Sequence, residues 1–356
     1  MGTVVIELTN RCNLSCGHCL AGRHGGGEML PLAIFAVLVR EAAGAGFGKF
    51  SFTGGEPTLH PQLGEILRMT HAAGYRFGMV TNGWTFPAIY GKILAYADRL
   101  SHITFSLDGA RRETHDALRG PGSFDRLMKA FSICVATGIP FTVNMTVNAR
   151  NRGELGEAAG LVQDLGGRGL RFGPLMITPE SRWRGLDLSP EELREAAGSI
   201  RALAGQFALA IGMAPGFATD DLFPCDPLAM REMNVDCRGN LTKCCHLSGH
   251  PEESGADDRA GWLGEESFAA AFERLRAANE AFRAAKIRHQ AAGFSNLDGF
   301  PCWYCAVAHG KAGWLDGEPQ HPWAASGPRG AAAGPARAER LITIQAKQAD
   351  PRSTTL

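Results

Sequence analysis

Along most of this chain, short apolar runs alternate with stretches whose apolar residues recur every three or four positions. Val4-Val5-Ile6-Glu7-Leu8 reads as the first strand, and 32–43 as an amphipathic helix. Lys49 to Thr53 follows as a strand, then 63–73 as a helix and 77–81 as a strand. The same alternation predicts helices over 89–97, 124–136 and 155–165, with strands over 102–107, 141–147 and 170–176. Glu191 to about Leu203 has a clean helix start, with Ser189 as cap, Pro190 in the first position and Glu192 completing a capping box. Phe207 to Gly212 is a possible further strand. Repeated βα units predict a parallel sheet with right-handed crossovers, whose ligands gather at the C-terminal ends of the strands.

Three cysteines sit at the first such end. Arg11-Cys12-Asn13-Leu14-Ser15-Cys16-Gly17-His18-Cys19 spaces them as C-x3-C-x2-C. Three thiolates on one short loop can hold three corners of an iron–sulfur cube, which normally takes four cysteines, and so leave one iron open. A zinc site is the competing reading of the spacing alone. After the second strand comes Thr53-Gly54-Gly55-Glu56-Pro57. Glycines there let backbone approach a ligand, and the Glu56 carboxylate suits an ammonium.

Together the two segments resemble the radical S-adenosylmethionine (radical SAM) superfamily. The resemblance implies a partial (β/α)6 barrel in which Cys12, Cys16 and Cys19 bind a [4Fe–4S] cluster. The amine and carboxylate of SAM would chelate the open iron, and Gly54, Gly55, Glu56 and Pro57 would contact the methionyl amine. Thr81, in Thr81-Asn82-Gly83, and Ser106, in Ser106-Leu107-Asp108-Gly109, resemble contacts to the ribose and carboxylate of SAM. Asn-Gly and Asp-Gly also simply turn a chain. Asn144 is a polar residue in an apolar strand, able to reach toward adenosine or to meet a hydroxyl in the core. One departure is His18, where the family usually has Tyr or Phe; an aromatic ring is kept.

Beyond the barrel the cysteines resume. Cys225, Gly239 and Cys244 form C-x13-G-x4-C, and Cys302-Trp303-Tyr304-Cys305 follows after a long gap. The layout resembles the auxiliary-cluster extensions of this superfamily, SPASM and the shorter twitch. No cysteine follows Cys305, so the twitch form is implied: one auxiliary [4Fe–4S] cluster on Cys225, Cys244, Cys302 and Cys305. Gly239 would serve a tight β-hairpin. Cys245 competes with Cys244 as ligand, and structural zinc competes with the cluster. Cys237 and Cys134 read as packing residues, Cys237 and Cys245 alternatively as hydrogen-atom or proton donors. Phe268, Phe272, Leu275 and Phe282 fall on one face of a helix running to about Ala291 and read as core closing the extension onto the barrel.

The domain reading is therefore a barrel over 1–213, a twitch-type unit of β-hairpin and helix over 214–315, and a Gly/Ala/Pro-rich tail over 316–356. The stretch 324–337 reads as disordered. In 356 residues, 45% apolar residues suffice for a large core, and the zero net charge gives no footprint for nucleic acid or an anionic membrane. Ten cysteines with no signal segment and no apolar run of membrane length favour a cytoplasmic chain with reduced thiols.

What the resemblance implies chemically is reductive cleavage of SAM to a 5′-deoxyadenosyl radical and abstraction of a substrate hydrogen atom. Oxidation of a small metabolite through the auxiliary cluster would follow. An external one-electron reductant of flavodoxin or ferredoxin type is implied. Enzymes of the family that mature ribosomal peptides commonly carry an N-terminal leader-binding domain. This chain begins at its first strand, which favours a small molecule, or a peptide presented by a separate protein. A non-catalytic iron–sulfur or zinc protein is the remaining alternative. His18, Arg171 and Cys245 are equal candidates for the base that oxidation needs.

Overall fold

On the first strand, Val4, Ile6 and Leu8 are buried on one side, while Thr3 and Glu7 take the other, as the two-residue period of a strand requires. This rule organises the whole computed structural model, which describes residues 1–20, 27–248, 259–292 and 299–324. Its strands are β1 (Gly2–Thr9), β2 (Phe47–Gly54), β3 (Arg76–Thr81), β4 (Leu100–Ser106), β5 (Phe141–Val147), β6 (Gly169–Pro174), β7 (Ala210–Met213), β8 (Glu232–Val235), β9 (Asn240–Thr242) and β10 (Arg259–Trp262). They form one sheet in the order β10-β9-β8-β1-β2-β3-β4-β5-β6-β7. β1 to β7 run parallel in sequence order, as the repeated βα pattern predicts.

Helices pack the outer face, and aromatic rings fill the space between. Phe105 of β4 makes edge-on contacts with Phe86 at 5.0 Å and Phe131 at 5.2 Å, and Phe131 stacks on Phe141. The helix Phe268–Ala292 lays Phe268 and Phe272 against Phe47, closing the C-terminal segment onto the barrel as its apolar face predicts.

Several boundaries shift for identifiable reasons. The helix expected over 89–97 is Phe86–Leu94, because Pro87 fits its first turn, where a missing N–H costs nothing. β6 stops at Pro174 rather than Met176. The helix Arg112–Arg119 has no counterpart in the sequence reading. Its buried face is His115 and Leu118, too polar for apolar periodicity to reveal.

The region after 213 is not set apart from the barrel. β8 pairs in parallel with β1, with Thr3 opposite Glu232 and Ile6 opposite Val235, and β9 returns antiparallel as a hairpin. Gly239 (φ +87°) turns that hairpin and donates to Asp236 O at 2.9 Å. The expected tail also begins later than 316. Trp323 is buried, stacks on Trp303 at 4.7 Å and donates its Nε1–H to Leu188 O. Of the stretch expected to be disordered, 325–337 lies outside the described residues.

Candidate active site

The cysteine loop leaves the C-terminal end of β1 and is fastened from three directions. Beneath it, Gly54 ends β2 and Gly55 follows. Gly55 N–H donates to Thr9 O at 2.7 Å and Glu56 N–H to Arg11 O at 2.9 Å. A Cβ on Gly54 would stand 2.2 Å from Thr9 O, and one on Gly55 2.3 Å from Arg11 O. The close approach these glycines permit is thus to the backbone of the cysteine loop itself.

Glu56 also departs from expectation. Its side chain is fully buried rather than presented to a ligand. Oε1 accepts from Thr58 N, Thr58 Oγ1 and Thr81 Oγ1, and Oε2 from Asn82 N at 2.8 Å. Burial pushes its carboxyl up, and these donors pull it back. Pro57, also buried, begins the one-turn 3-10 helix Pro57–Leu59 that Glu56 caps. Thr81 is likewise turned inward, its hydroxyl donating to Glu56. The carboxylate therefore works as a tie that fixes the end of β3 beside the loop. From that end, Asn82 donates to Asn13 Oδ1 at 3.0 Å and approaches Cys12 Sγ at 3.8 Å.

The third fastening comes from the helix that sequence periodicity missed. Asp108, after β4, is fully buried. It pairs with Arg119, with His18 Nε2 at 3.0 Å, and accepts from Thr146 N at 2.8 Å. Burial opposes ionisation of Asp108, but Arg119 and His18 outweigh it and hold the carboxyl far below its ordinary range. Arg119 reaches on to Cys16 Sγ at 3.9 Å. The aromatic position before Cys19 thus carries a nitrogen that binds Asp108. His115 Nδ1 accepts from Asp108 N, and burial holds this imidazole down at about 4.

The three thiols are mostly enclosed, and none of the ten cysteines forms a disulfide. Burial raises Cys12 and pushes Cys16 up to about 11. Leu14 N and Asn82 approach Cys12 Sγ, and Arg119 approaches Cys16 Sγ. N–H donors to sulfur are among the features that tune a cluster's reduction potential. Among the described residues no three His, Cys, Asp or Glu side chains converge on a single point as ligands of one ion would. A cube does not ask this, since each cysteine takes a different iron.

Cys225, Cys244, Cys302 and Cys305 are also brought together. Each bears electrostatically on others of the set: Cys225, Cys244 and Cys305 on Cys302, and Cys225 and Cys244 on Cys305. Burial lifts Cys302, and pushes Cys305 up to about 12. Cys302 and Cys305 lie one turn apart on the helix Pro301–Ala308. Cys245 shares a side-chain hydrogen bond with Cys244, and Glu232 and Glu7 bear on it electrostatically. Cys237 is buried in the hairpin turn and Cys134 in the core. The buried Lys286 donates to Leu222 O at 3.0 Å, lies 4.8 Å over Tyr304, and bears on Cys225 and Cys305.

Between the two cysteine groups runs the concave face of the sheet. A cavity of about 450 Å3 there is lined by Ser51, Thr104, Asn144, Arg171 and Glu232 among others. Asn144 pairs in register with Ser106 on one side and Arg171 on the other. Glu7 occupies the same face of β1. Sequence reasoning passed over it because an acidic residue in a strand carries no motif. It accepts from Asn234 Nδ2 at 3.1 Å, and burial raises its carboxyl to about 7.

Residues 6–162 match the radical SAM superfamily. The chain is 34% identical over 167 residues to the AdoMet-dependent heme synthase of Methanosarcina barkeri, covering 45% of this chain and 46% of that protein. It is 33% identical over 171 residues to the PqqA peptide cyclase of Ruegeria pomeroyi, covering 47% and 45%. The matches thus span about half the length of these curated relatives. In fold it resembles Streptococcus suis SuiB bound to precursor peptide SuiA, with a TM-score of 0.61, 15% identity, and 77% of this chain and 66% of that one covered. It also resembles anSMEcpe with bound AdoMet and the Cp18Cys peptide, with a TM-score of 0.61, 14% identity, and 97% and 99% covered.

Proposed function

The chain belongs to the radical SAM superfamily, whose members use a [4Fe–4S] cluster and SAM, and from that premise we propose that it is an oxidising radical SAM enzyme. When bound, that pair of cofactors supplies a 5′-deoxyadenosyl radical able to take a hydrogen atom from an unactivated C–H bond.

Cys12, Cys16 and Cys19 would hold the cluster. Arg119 and Asn82 give two of these sulfurs N–H neighbours, and Asp108 keeps Arg119 aimed. Gly54, Gly55, Glu56 and Pro57 act through backbone, and Thr81 through its bond to Glu56, to fix the loop. Ser106 and Asn144 are the remaining candidates for adenosine contacts. Cys225, Cys244, Cys302 and Cys305 would hold one auxiliary cluster, whose negative charge the Lys286 ammonium offsets. Glu7 is the group best suited to take the proton that oxidation releases. It is buried, lies on the same side of β1 as the cavity-lining Thr3 and titrates near neutrality, where a general base is most effective. His18 is committed to Asp108, which leaves it a weaker candidate.

The observation that carries this reading is the loop of three thiols clamped by the Gly54–Gly55 backbone and reached by Arg119. A small metabolite is the first choice of substrate, because the sheet encloses a polar cavity between the two cysteine groups. A peptide is the second, favoured by the similarity to a PqqA peptide cyclase. Transfer of an electron from a flavodoxin or ferredoxin belongs to either reading.

The test is iron and sulfide per chain after anaerobic reconstitution, with 5′-deoxyadenosine release under dithionite. About eight irons are expected, falling to about four in a Cys12/Cys16/Cys19→Ala variant that releases no 5′-deoxyadenosine. About four irons falling to none would remove the auxiliary cluster from the proposal. Zinc at both groups without SAM cleavage would overturn it entirely.

A further inference from the structure

In a closed (β/α) barrel the lumen is packed with layers of branched apolar side chains. Here the concave face is lined by Thr3, Ser51, Thr104, Thr142 and Asn144. Three glycines, Gly78, Gly169 and Gly212, occupy lumen positions on β3, β6 and β7 and leave it open. Charged groups crowd the end where the strands begin. Strand register sets Glu232, Thr3, Lys49 and Arg76 side by side across β8, β1, β2 and β3. His102 stands in the next row across from Gly78, and Arg171 beside Asn144.

This group is predominantly positive. Lys49, His102 and Arg171 line the cavity against one lining carboxylate, Glu232, on which Asp226 bears from outside; Arg76 and Arg168 bear on His102. These basic groups disfavour one another's protonation. Burial lowers Lys49 and Arg76 adds to it; burial lowers His102, and Lys49, Arg168 and Arg76 add to it. Like charges massed on the wall of a cavity repel one another and focus a field that draws in an anion, whose binding would stabilise the folded chain.

We propose that the floor of this lumen binds a carboxylate or phosphate group of the substrate, held by Lys49, His102 and Arg171. Lys49 lies five residues before Gly54 on β2, which at roughly 3.3 Å per residue is about 16 Å. A ligand anchored there with its reacting carbon near the cysteine loop is therefore elongated and polar, with its anionic group at the far end. Identifying the bound anion as part of the substrate rests on the function proposed above; the anion site itself does not.

The test uses the full chain, anaerobically reconstituted, with thermal unfolding followed at constant ionic strength. Sodium chloride is the control, and inorganic phosphate and L-glutamate are the two arms. A saturable rise in melting temperature of about 2 °C or more is expected in at least one arm. The stronger arm identifies phosphate or carboxylate. Lys49→Met should melt higher than the parent without anion and lose the response, while Lys49→Arg should keep it. No response beyond chloride, an equal response in Lys49→Met, or a lower melting temperature in Lys49→Met without anion would each overturn the proposal. The last is what a structural Lys49–Glu232 partnership predicts. Release of 5′-deoxyadenosine from the same samples reports separately on the radical SAM reading.

Discussion

Replacing Glu7 by Gln tests whether a buried acid is retained in the lumen at a cost to the fold. The carboxyl sits among buried groups, with Asn234 Nδ2 donating to Oε1 and Asp236 nearby. Its ordinary value is 4.5 and its value in the fold is about 7. A raised carboxyl means the folded chain holds the proton more tightly than the unfolded one. Stability is then fully present below 4.5 and is lost as pH rises through 7. At about 1.4 kcal/mol per tenfold change in proton affinity, the loss amounts to about 3 kcal/mol above neutrality. Gln keeps an oxygen for Asn234 Nδ2 and places an amide N–H beside Asn234, whose buried Oδ1 has no hydrogen-bond partner. Urea unfolding of parent and E7Q from pH 4.5 to 8 should give curves that coincide at the acid end. They should then diverge until the variant is about 3 kcal/mol more stable at pH 8. A difference that does not change with pH, or a variant less stable at pH 8, refutes the reasoning. If Glu7 also receives the substrate proton, E7Q should release 5′-deoxyadenosine yet form little oxidised product.

Three further outcomes follow from the contacts. Arg119→Met leaves Asp108 buried without its strongest partner and should cost about 3 kcal/mol in urea unfolding, the lower end for a broken buried pair because His18 remains. An Asp108→Asn/Arg119→Met double variant should lose less than the sum of its parts. Gly55→Ala forces a Cβ to within 2.3 Å of Arg11 O, so iron incorporation at the first cysteine group should fall while the second group is unaffected. Trp323→Ala removes the ring that stacks on Trp303 and meets Phe300 edge-on, and should cost about 3–5 kcal/mol by the same assay.

The strands of the barrel were legible because their outer faces are uniformly apolar, and the two cysteine groups because spacing alone marks them. What escaped is explained by residue chemistry. The Arg112–Arg119 helix buries His115 and Leu118 and aims Arg119 at Asp108, so its inward face reads as polar. The direction of the Glu56 carboxylate was not legible because Gly-Gly-Glu-Pro identifies a segment without saying which way that side chain turns. Only the positions of Thr58, Thr81 and Asn82 reveal four donors waiting for it. The lumen charges were invisible for another reason. Lys49, His102, Arg171 and Glu232 lie on four different strands, and only register brings them to one cavity.

Register also explains how the two cysteine groups are held apart. β8 lies beside β1 and runs the same way, so without the hairpin both would deliver their following residues to the same end of the sheet. Gly239 reverses the chain, and β9 carries it back past Asn234 toward the level of Glu232. Cys244 therefore emerges near the strand beginnings, where Glu232 bears on it, while Cys12 emerges from the strand ends. Arg171, on the cavity wall, bears on Cys302 as well. One continuous sheet thus places one thiol group at each mouth of a polar lumen. In the proposed enzyme the site of hydrogen-atom removal and the site that receives the electron would face the substrate from opposite ends. The strand pairing between β1 and β8, rather than a flexible linker, would set the distance between them.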